Sequence, residues 1–158
     1  MARVIEIRDL RPIEGGGRVL AFDLIDLLRI IEPEGRDLAW AAFGLDVEGA
    51  ITIPHEPWRG RKVTPMGWAE LRHWAADITQ VIWGTFIGGD AIQLQDMHPA
   101  MDSAELYDRC AFVIEAIDSG YWRVYAWDDT VVERVSQSFT AVRECPVPVG
   151  NHAALDDQ

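Results

Sequence analysis

The sequence predicts a single α+β domain in which a mixed or antiparallel sheet carries about three or four helices, packed mainly on one face. Segments with the two-residue alternation of strands and segments with the helical period follow one another without a repeating β-α-β order. The 158 residues match the usual length of one domain. Hydrophobic residues make up 49% of the chain, which is enough for one packed core.

The first strand and the first helix are marked by clear periodicities. Residues 3–8 alternate apolar and polar side chains, so we expect a strand that ends before Pro12. The glycine run at 15–17 predicts a turn. Apolar residues then recur at helical spacing over residues 22–31, and Pro33 with Gly35 is expected to end this helix.

A strand, a loop and a second helix are predicted in the middle of the chain. Residues 38–47 favour a strand, with residues 51–53 as its hairpin partner. The basic run at 58–62 is interpreted as a solvated loop, with an acidic partner or a phosphate as the alternative ligand. Thr64 is expected to cap a helix that gives way near residue 80 to a strand over residues 80–87.

Short elements follow this strand. Residues 91–95 are predicted to form a short strand. Asp102 and Glu105 have the spacing of a capping box and predict a short helix. Thr130 and Glu133 have the same spacing and predict the start of the last helix.

The clearest hairpin signal lies late in the chain. Residues 112–117 and 121–127 flank a turn sequence, with a two-residue loop expected at 119–120. A last short strand is predicted over residues 140–143. We therefore expect a folded domain over residues 1–145 and a weakly ordered acidic tail at 146–158, where an apolar period is missing.

Charge and cysteine content narrow the classes of function. The 26 Asp and Glu against 14 Lys and Arg give a net charge of -12, which disfavours nucleic acid and favours cationic partners. The apolar stretches are too short to span a membrane. Glu6 places a carboxylate where a signal peptide would need a continuous apolar stretch, so we expect a cytoplasmic protein. Cys110 and Cys145 lack CxxC spacing and are expected to be reduced and structural.

Motifs for catalysis or cofactor binding are incomplete. The glycine run before the first helix lacks the residues of a phosphate-binding loop. Asp96, His98 and Asp102 lie in one loop, and Glu70 with His73 lies on one helix, but neither set completes a metal site. We expect no metal, no cofactor and no catalytic residue, while an enzyme with a carboxylate or histidine site stays an alternative.

The second hairpin strand carries the candidate binding residues. Tyr121, Arg123, Tyr125 and Trp127 alternate along it, so all four side chains are predicted on one face. Tyr, Trp and Arg are the residue types enriched at binding hot spots, so we expect this face to bind a protein partner. In the alternative interpretation, helices cover the face and Arg123 extends to its edge.

Glu115 is a second candidate, on the first hairpin strand. It alternates with Val113 and Ile117, which places its carboxylate among apolar groups, where it needs a proton or a partner. Such a carboxylate is a candidate for a ligand pocket. The alternative is that an internal hydrogen bond satisfies it.

In its small size, strong acidity, seven tryptophans and the segment 121–127 followed by Asp128 and Asp129, the chain resembles small bacterial immunity proteins that neutralise toxins of competing strains. The resemblance implies a cytoplasmic complex with a cationic toxin domain, in which acidic groups speed encounter and aromatic anchors slow release. The sequence thus predicts a protein-binding domain. A structural or regulatory homo-oligomer that buries the aromatic face against itself is the remaining alternative.

Overall fold

The computed structural model describes residues 3–49, 63, 65–98 and 101–147. This part of the chain contains eight strands and five helices. In chain order they are β1 (Arg3–Ile7), β2 (Leu10–Pro12), β3 (Arg18–Leu20), α1 (Leu24–Gly35), β4 (Ala39–Glu48), α2 (Trp68–Ala76), β5 (Gln80–Gly89), α3 (Ala91–Gln95), α4 (Ser103–Arg109), β6 (Phe112–Ile117), β7 (Tyr121–Ala126), α5 (Asp129–Gln137) and β8 (Val142–Cys145).

Six of these strands form one sheet in the order β4-β5-β6-β7-β1-β8, and β2 pairs with β3 as a separate hairpin. Every pairing is antiparallel. The order means that β1 lies between two strands from the far end of the described chain, with Arg3 opposite Ala126 and Val4 opposite Cys145. The expected α+β class with an antiparallel sheet is confirmed.

One face of the sheet carries the three longest helices, α1, α2 and α5. Alternate strand residues point to this face and pack against the apolar stripes of the helices. The strand residues include Ile5, Phe86, Ile114, Trp122 and Val124, and the helical ones include Leu27, Leu28, Leu71, Val132 and Val135. Fully burying one such side chain contributes about 1.5–3 kcal/mol, so this cluster is the main source of stability.

The opposite face is only partly covered. The short helices α3 and α4 pack over one row of side chains that runs across the sheet, which includes Ala41, Ile87, Val113, Tyr125 and Val4. Leu94 of α3 and Leu106 of α4 close this second cluster. Helices therefore lie on both faces, and the larger helical layer lies on one of them, as predicted.

The strand predicted for residues 91–95 was wrong, since these residues form α3. Asp90 caps the helix: its carboxylate accepts hydrogen bonds from the amides of Ile92 at 2.9 Å and Gln93 at 3.3 Å. Leu94 then turns into the core beneath the helix. A five-residue segment with one buried side chain is too short for a helical period to be recognised in the sequence.

Two helix ends also differ from the predictions. Asp128, not Thr130, caps α5, because its carboxylate accepts hydrogen bonds from the amide and the hydroxyl of Thr130. Helix α1 continues past Pro33 to Gly35. Gly35 is held from outside the helix, because the Trp40 indole donates a hydrogen bond of 2.9 Å to its carbonyl.

The hairpin of β6 and β7 is confirmed, with one more residue in its loop than predicted. Ile117 pairs with Tyr121, so three residues connect the strands. Asp118 and Ser119 adopt positive φ angles of 49° and 53°, as the two central residues of a type I′ turn do. The alternation of side chains on β7 is unchanged by the longer loop.

Several predicted features lie outside the described residues. They are the strand at 51–53, the basic loop at 58–62, the cap at Thr64 and the tail from residue 148. Within the described residues, the longest helix is α1 with 12 residues, and no helix has the length and apolar character needed to cross a membrane.

Candidate functional site

The four residues predicted to form one binding surface occupy different environments. Tyr121 and Arg123 lie half-buried on the part of the sheet that α3 and α4 leave uncovered. Tyr125 is 1% exposed, whereas Trp127 is 67% exposed just beyond the end of β7. The predicted surface is therefore not continuous, since α4 lies over the middle of the strand.

Tyr125 is a core residue, so the expectation that it is exposed was wrong. Its ring stacks on Tyr107 of α4, with centroids 4.4 Å apart and planes 7° from parallel. Its hydroxyl donates a hydrogen bond of 2.7 Å to the carbonyl of Tyr107. The alternative interpretation, in which a helix covers this face, is correct at this position.

Next to the buried row, charged side chains alternate in sign across four strands. Glu115, Arg123, Glu6 and Arg143 stand opposite one another on β6, β7, β1 and β8, and we call them the charge row. Arg123 lies 3.7 Å from a carboxylate oxygen of Glu115 and 3.7 Å from one of Glu6. Arg143 donates a hydrogen bond of 2.8 Å to Glu6. Cross-strand pairs of opposite charge stabilise a sheet.

Glu6 is the only buried charged residue among those that the structure describes, with 5% exposure. Burial alone favours its protonated form, but hydrogen bonds from Arg8 and Arg143 outweigh this effect and hold the pKa of the carboxyl below its ordinary value. Glu6 is therefore ionised at neutral pH. Its partners are Arg8, just after β1, Arg123 of β7 and Arg143 of β8, so this carboxylate of β1 ties three strands together.

Glu115 has internal partners on two elements. Its carboxylate accepts hydrogen bonds from the Ser103 hydroxyl at 3.3 Å and from the Tyr107 hydroxyl at 3.2 Å, in addition to the pairing with Arg123. These contacts attach the start and the middle of α4 to the sheet. The arrangement corresponds to the alternative in which internal hydrogen bonds satisfy the carboxylate.

Tyr121 completes the uncovered half of this face. The guanidinium of Arg8 lies 4.1 Å from the centroid of its ring, and that of Arg123 lies 5.9 Å away. Trp83 of β5 lies on the same face by alternation from Thr85 and is 45% exposed. The arginines here are engaged by Glu6, Glu115 or Tyr121, so their charges are largely compensated within the molecule.

A second surface forms at the end of the sheet where β7 finishes. The amide of Trp127 donates to the carbonyl of Ala111 at 3.1 Å, and the amide of Ala111 donates to Gly88 at 2.9 Å. These bonds bring the segment after β7 beside the starts of β6 and α3. Ile92 on α3 is 74% exposed and Trp127 is 67% exposed, the two highest values among large apolar side chains in the described residues.

Exposed carboxylates accompany these two apolar side chains. Asp90 caps α3, Asp108 lies in the last turn of α4 and Asp128 caps α5. We call Asp90, Ile92, Asp108, Trp127 and Asp128 the acidic end. Arg109 is the basic residue beside it in sequence, so carboxylates predominate there.

Two carboxylates of the acidic end, those of Asp90 and Asp128, are held in place by hydrogen-bond donors of the following residues. Hydrogen bonds from the Thr130 hydroxyl and amide hold the pKa of Asp128 below its ordinary value. Asp108 lies close enough to Tyr125 to add to the effect of burial in raising the pKa of that phenol. This end of the molecule therefore presents exposed carboxylates, two of them held by helix caps, together with an exposed indole.

Comparison of the chain with protein-family models, with curated proteins and with solved structures finds no match in any of the three. The chemistry of the site therefore rests on the geometry of these residues.

The cysteines are not activated for chemistry. Burial raises the pKa of Cys110 to about 12. Burial, followed by the neighbouring Glu6, also raises the pKa of Cys145. Both are free thiols, and neither has the lowered pKa of a nucleophilic cysteine. Within the described residues, no three His, Cys, Asp or Glu side chains are arranged to hold a metal ion.

The sequence pointed to only part of the acidic end. Trp127 and Asp128 were noted for their types, but Asp90, Ile92 and Asp108 were not. Asp90 and Ile92 belong to α3 and its cap, and Asp108 lies on α4, so two separate short helices supply these residues. Recognising α3 from its Asp90 cap is the signal that would have placed Ile92 on an exposed helix surface.

Proposed function

We propose that this protein binds a cationic protein partner through its acidic end, with Trp127 as the anchor. The observation that carries the proposal is the 67% exposure of a tryptophan that Asp128 follows directly, at the end of the sheet where α3 begins with Asp90. Exposed indoles of this kind supply large contact area at interfaces. The resemblance to bacterial immunity proteins suggests a toxin domain as the partner, and neutralisation of that toxin as the biological role.

The two kinds of side chain have different tasks in such a complex. Burial of the Trp127 indole against a partner is worth about 1–4 kcal/mol, as at other aromatic anchors, and slows dissociation. The carboxylates of Asp90, Asp108 and Asp128, together with the net charge of -12, attract a basic partner and raise the association rate. Because the backbone of Trp127 is held by its hydrogen bond to Ala111, binding has to order the side chain but not the main chain at this position.

The charge row is less suited to binding a partner than the acidic end, because its charges are paired within the molecule. Arg123 and Arg143 are paired with carboxylates of the same molecule, and Arg8 lies over Tyr121. A partner would have to compete with these contacts. The acidic end presents its charge to solvent instead, since Asp90, Asp108 and Asp128 are exposed.

The test compares two exposed tryptophans. The wild-type protein serves as bait in an extract of the producing cells, and the basic protein it retains is purified and titrated by calorimetry. We expect Trp127→Ala to weaken binding by about 1–4 kcal/mol and to change the free energy of unfolding by less than about 0.5 kcal/mol. Trp83→Ala, on the uncovered sheet face, is the matched control and should leave the affinity unchanged.

Raising the salt concentration should lower the association rate of the wild-type protein more than that of a variant with Asp90→Asn and Asp128→Asn. Equal losses of affinity in Trp127→Ala and Trp83→Ala would contradict the proposal, as would recovery of an acidic partner. Retention of a second copy of this chain, with a dimer mass on a sizing column that Trp127→Ala abolishes, would favour the homo-oligomer instead.

A further inference from the structure

We propose that the groove between α1 and α2 is a second binding site, which takes a small organic anion with an apolar body and a carboxylate or phosphate group. The groove has a volume of about 410 Å³. This volume falls in the range of roughly 300–1,000 Å³ that is usual for small-molecule sites. The site lies on the helical layer and shares no residue with the acidic end.

The charge of this groove is opposite to that of the molecule as a whole. Arg29, Arg72 and His73 line it, and no carboxylate is among its lining residues in the described part of the chain. The side chains of Arg29 and Arg72 are 62% and 40% exposed, so both guanidinium groups are accessible. Asp26 and Glu32 pair with these arginines, so the attraction for an anion comes from the parts of the guanidinium groups that stay exposed in the groove.

The neighbouring carboxylates orient these arginines without using all of their donors. Arg29 donates through Nη1 to Asp26 at 3.3 Å, and Arg72 donates through Nη1 to Glu32 at 3.1 Å. A guanidinium group carries five N–H donors, so each arginine retains donors for a ligand.

Two buried donors at the groove lack an acceptor. Nε1 of Trp68 and Nε of Arg72 are shielded from solvent and have no hydrogen-bond partner in the part of the chain that the structure describes. Trp68 is 7% exposed, and Arg72 follows it by one turn of α2, so the two side chains share one face of the helix. Buried donors are nearly always paired in folded proteins, so each of these two needs an acceptor, and an oxygen atom of a bound anion would supply one.

The walls of the groove are apolar, and for this reason we assign the ligand an apolar body. Ile25 of α1 lies on one side, with Trp68, Ala69 and Ala76 of α2 on the other. The far end of the Trp68 ring is packed inward, since a Cβ built on Gly35 would lie 2.8 Å from its Cζ3.

The experiment titrates the full chain with benzoate, phenyl phosphate and benzyl alcohol, which share an aromatic body and differ in the charged group. Calorimetry should show saturable binding of benzoate or phenyl phosphate, and none of benzyl alcohol at the same concentrations. The tighter of the two anions identifies the charged group. Arg72→Gln should weaken that anion roughly tenfold or more, because a charge-assisted hydrogen bond is lost.

Arg109→Gln is the matched control, an exposed arginine on α4 outside the groove, and should leave the dissociation constant unchanged. If Arg72→Gln disturbs the fold, as judged by circular dichroism, Arg29→Gln replaces it with the same expected direction. The proposal is overturned if neither anion binds saturably or if both arginine variants bind as tightly as wild type. Inorganic phosphate binding as tightly as phenyl phosphate would overturn the assigned apolar body.

Discussion

Glu6 illustrates how a buried charge can hold a sheet together. Its carboxylate lies between Arg8, Arg123 and Arg143, and each of these arginines is partly open to solvent. Breaking a fully buried ion pair costs about 3–5 kcal/mol because the remaining charge is stranded. The arginines around Glu6 are able to regain water, so the loss from removing this carboxylate is expected to be smaller.

Replacing Glu6 with Gln should lower the free energy of unfolding by about 1–3 kcal/mol at pH 7. Because the pKa of Glu6 is lowered by folding, its stabilising effect is present above the ordinary value of 4.5 and is lost as the pH falls below it. Urea unfolding from pH 7 to pH 3 should therefore bring wild type and Glu6→Gln together at low pH. A constant difference would contradict this account, and Glu48→Gln, an exposed carboxylate, is the control.

Substitutions at Tyr125 and Trp127 should have opposite effects: the first should lower stability and the second should lower affinity for the partner. Tyr125→Ala removes a stacked ring and a buried hydrogen bond, so we expect a loss of about 3–5 kcal/mol in urea unfolding. The folded fraction should bind the partner with wild-type affinity. A variant that stays as stable as wild type but loses the partner would show that Tyr125 belongs to the interface.

For single residues, the sequence predicted which face of the sheet each side chain lies on, but not which side chains a helix buries. The alternation of β7 correctly placed Tyr121, Arg123 and Tyr125 on one face. Which of them is exposed depends on α4, which crosses only the part of the face near Tyr125. The position of a separate helix over a strand is a tertiary property that a two-residue period does not contain.

Among the elements, β5 is shaped by glycines that make room for a neighbouring ring. Trp40 of β4 is fully buried and lies against Phe112 at a centroid distance of 5.6 Å. A Cβ added at Gly88 would lie 2.8 Å from Cη2 of this indole. The next residue, Gly89, faces the other side, where the nearest atom to an added Cβ is 3.6 Å away.

Gly88→Ala should therefore destabilise the protein by about 1–3 kcal/mol, because the rigid Trp40 ring has no free direction in which to move. Gly89→Ala on the same strand is the control and is expected to change stability by less than about 0.5 kcal/mol. Chemical denaturation of both variants measures the difference. Equal effects would show that the loss comes from the strand backbone and not from the ring.

The element boundaries that were predicted well are those with a long or specific local signal. The hairpin of β6 and β7 and the capping box of Asp102 and Glu105 both have such signals, and both are present. Helix α3 and the charge row were missed for different physical reasons. The first is one turn long, and the second joins residues that the sheet order alone brings together, such as Glu6 and Arg143.

For the molecule as a whole, the two cysteine thiols differ in burial, so their reaction rates measure different opening motions. Cys110 is buried and has a pKa near 12, whereas Cys145 is partly exposed on β8. Treatment with a thiol reagent at pH 8 should give a faster phase from Cys145 and a slow phase from Cys110. The slow rate should follow global unfolding as urea is added.

Cys145→Ser should remove the fast phase and leave the slow one, which assigns the two rates. Two thiols that react equally fast in native protein would mean that the layer formed by α3 and α4 opens without global unfolding. This measurement tests the cohesion of the smaller helical layer independently of any ligand.

The place of β1 inside the sheet has a consequence for synthesis of the protein on the ribosome. Arg3 pairs with Ala126, and Val4 pairs with Cys145, so β1 emerges long before either of its neighbours exists. At a translation rate of about 5–20 residues per second, it waits for several seconds or more with its apolar side chains unpaired. The strands β4 to β7 are able to pair as they emerge, each with the one before it. Closure of the sheet around β1 is thus a late event, which has to follow synthesis of β7 and β8.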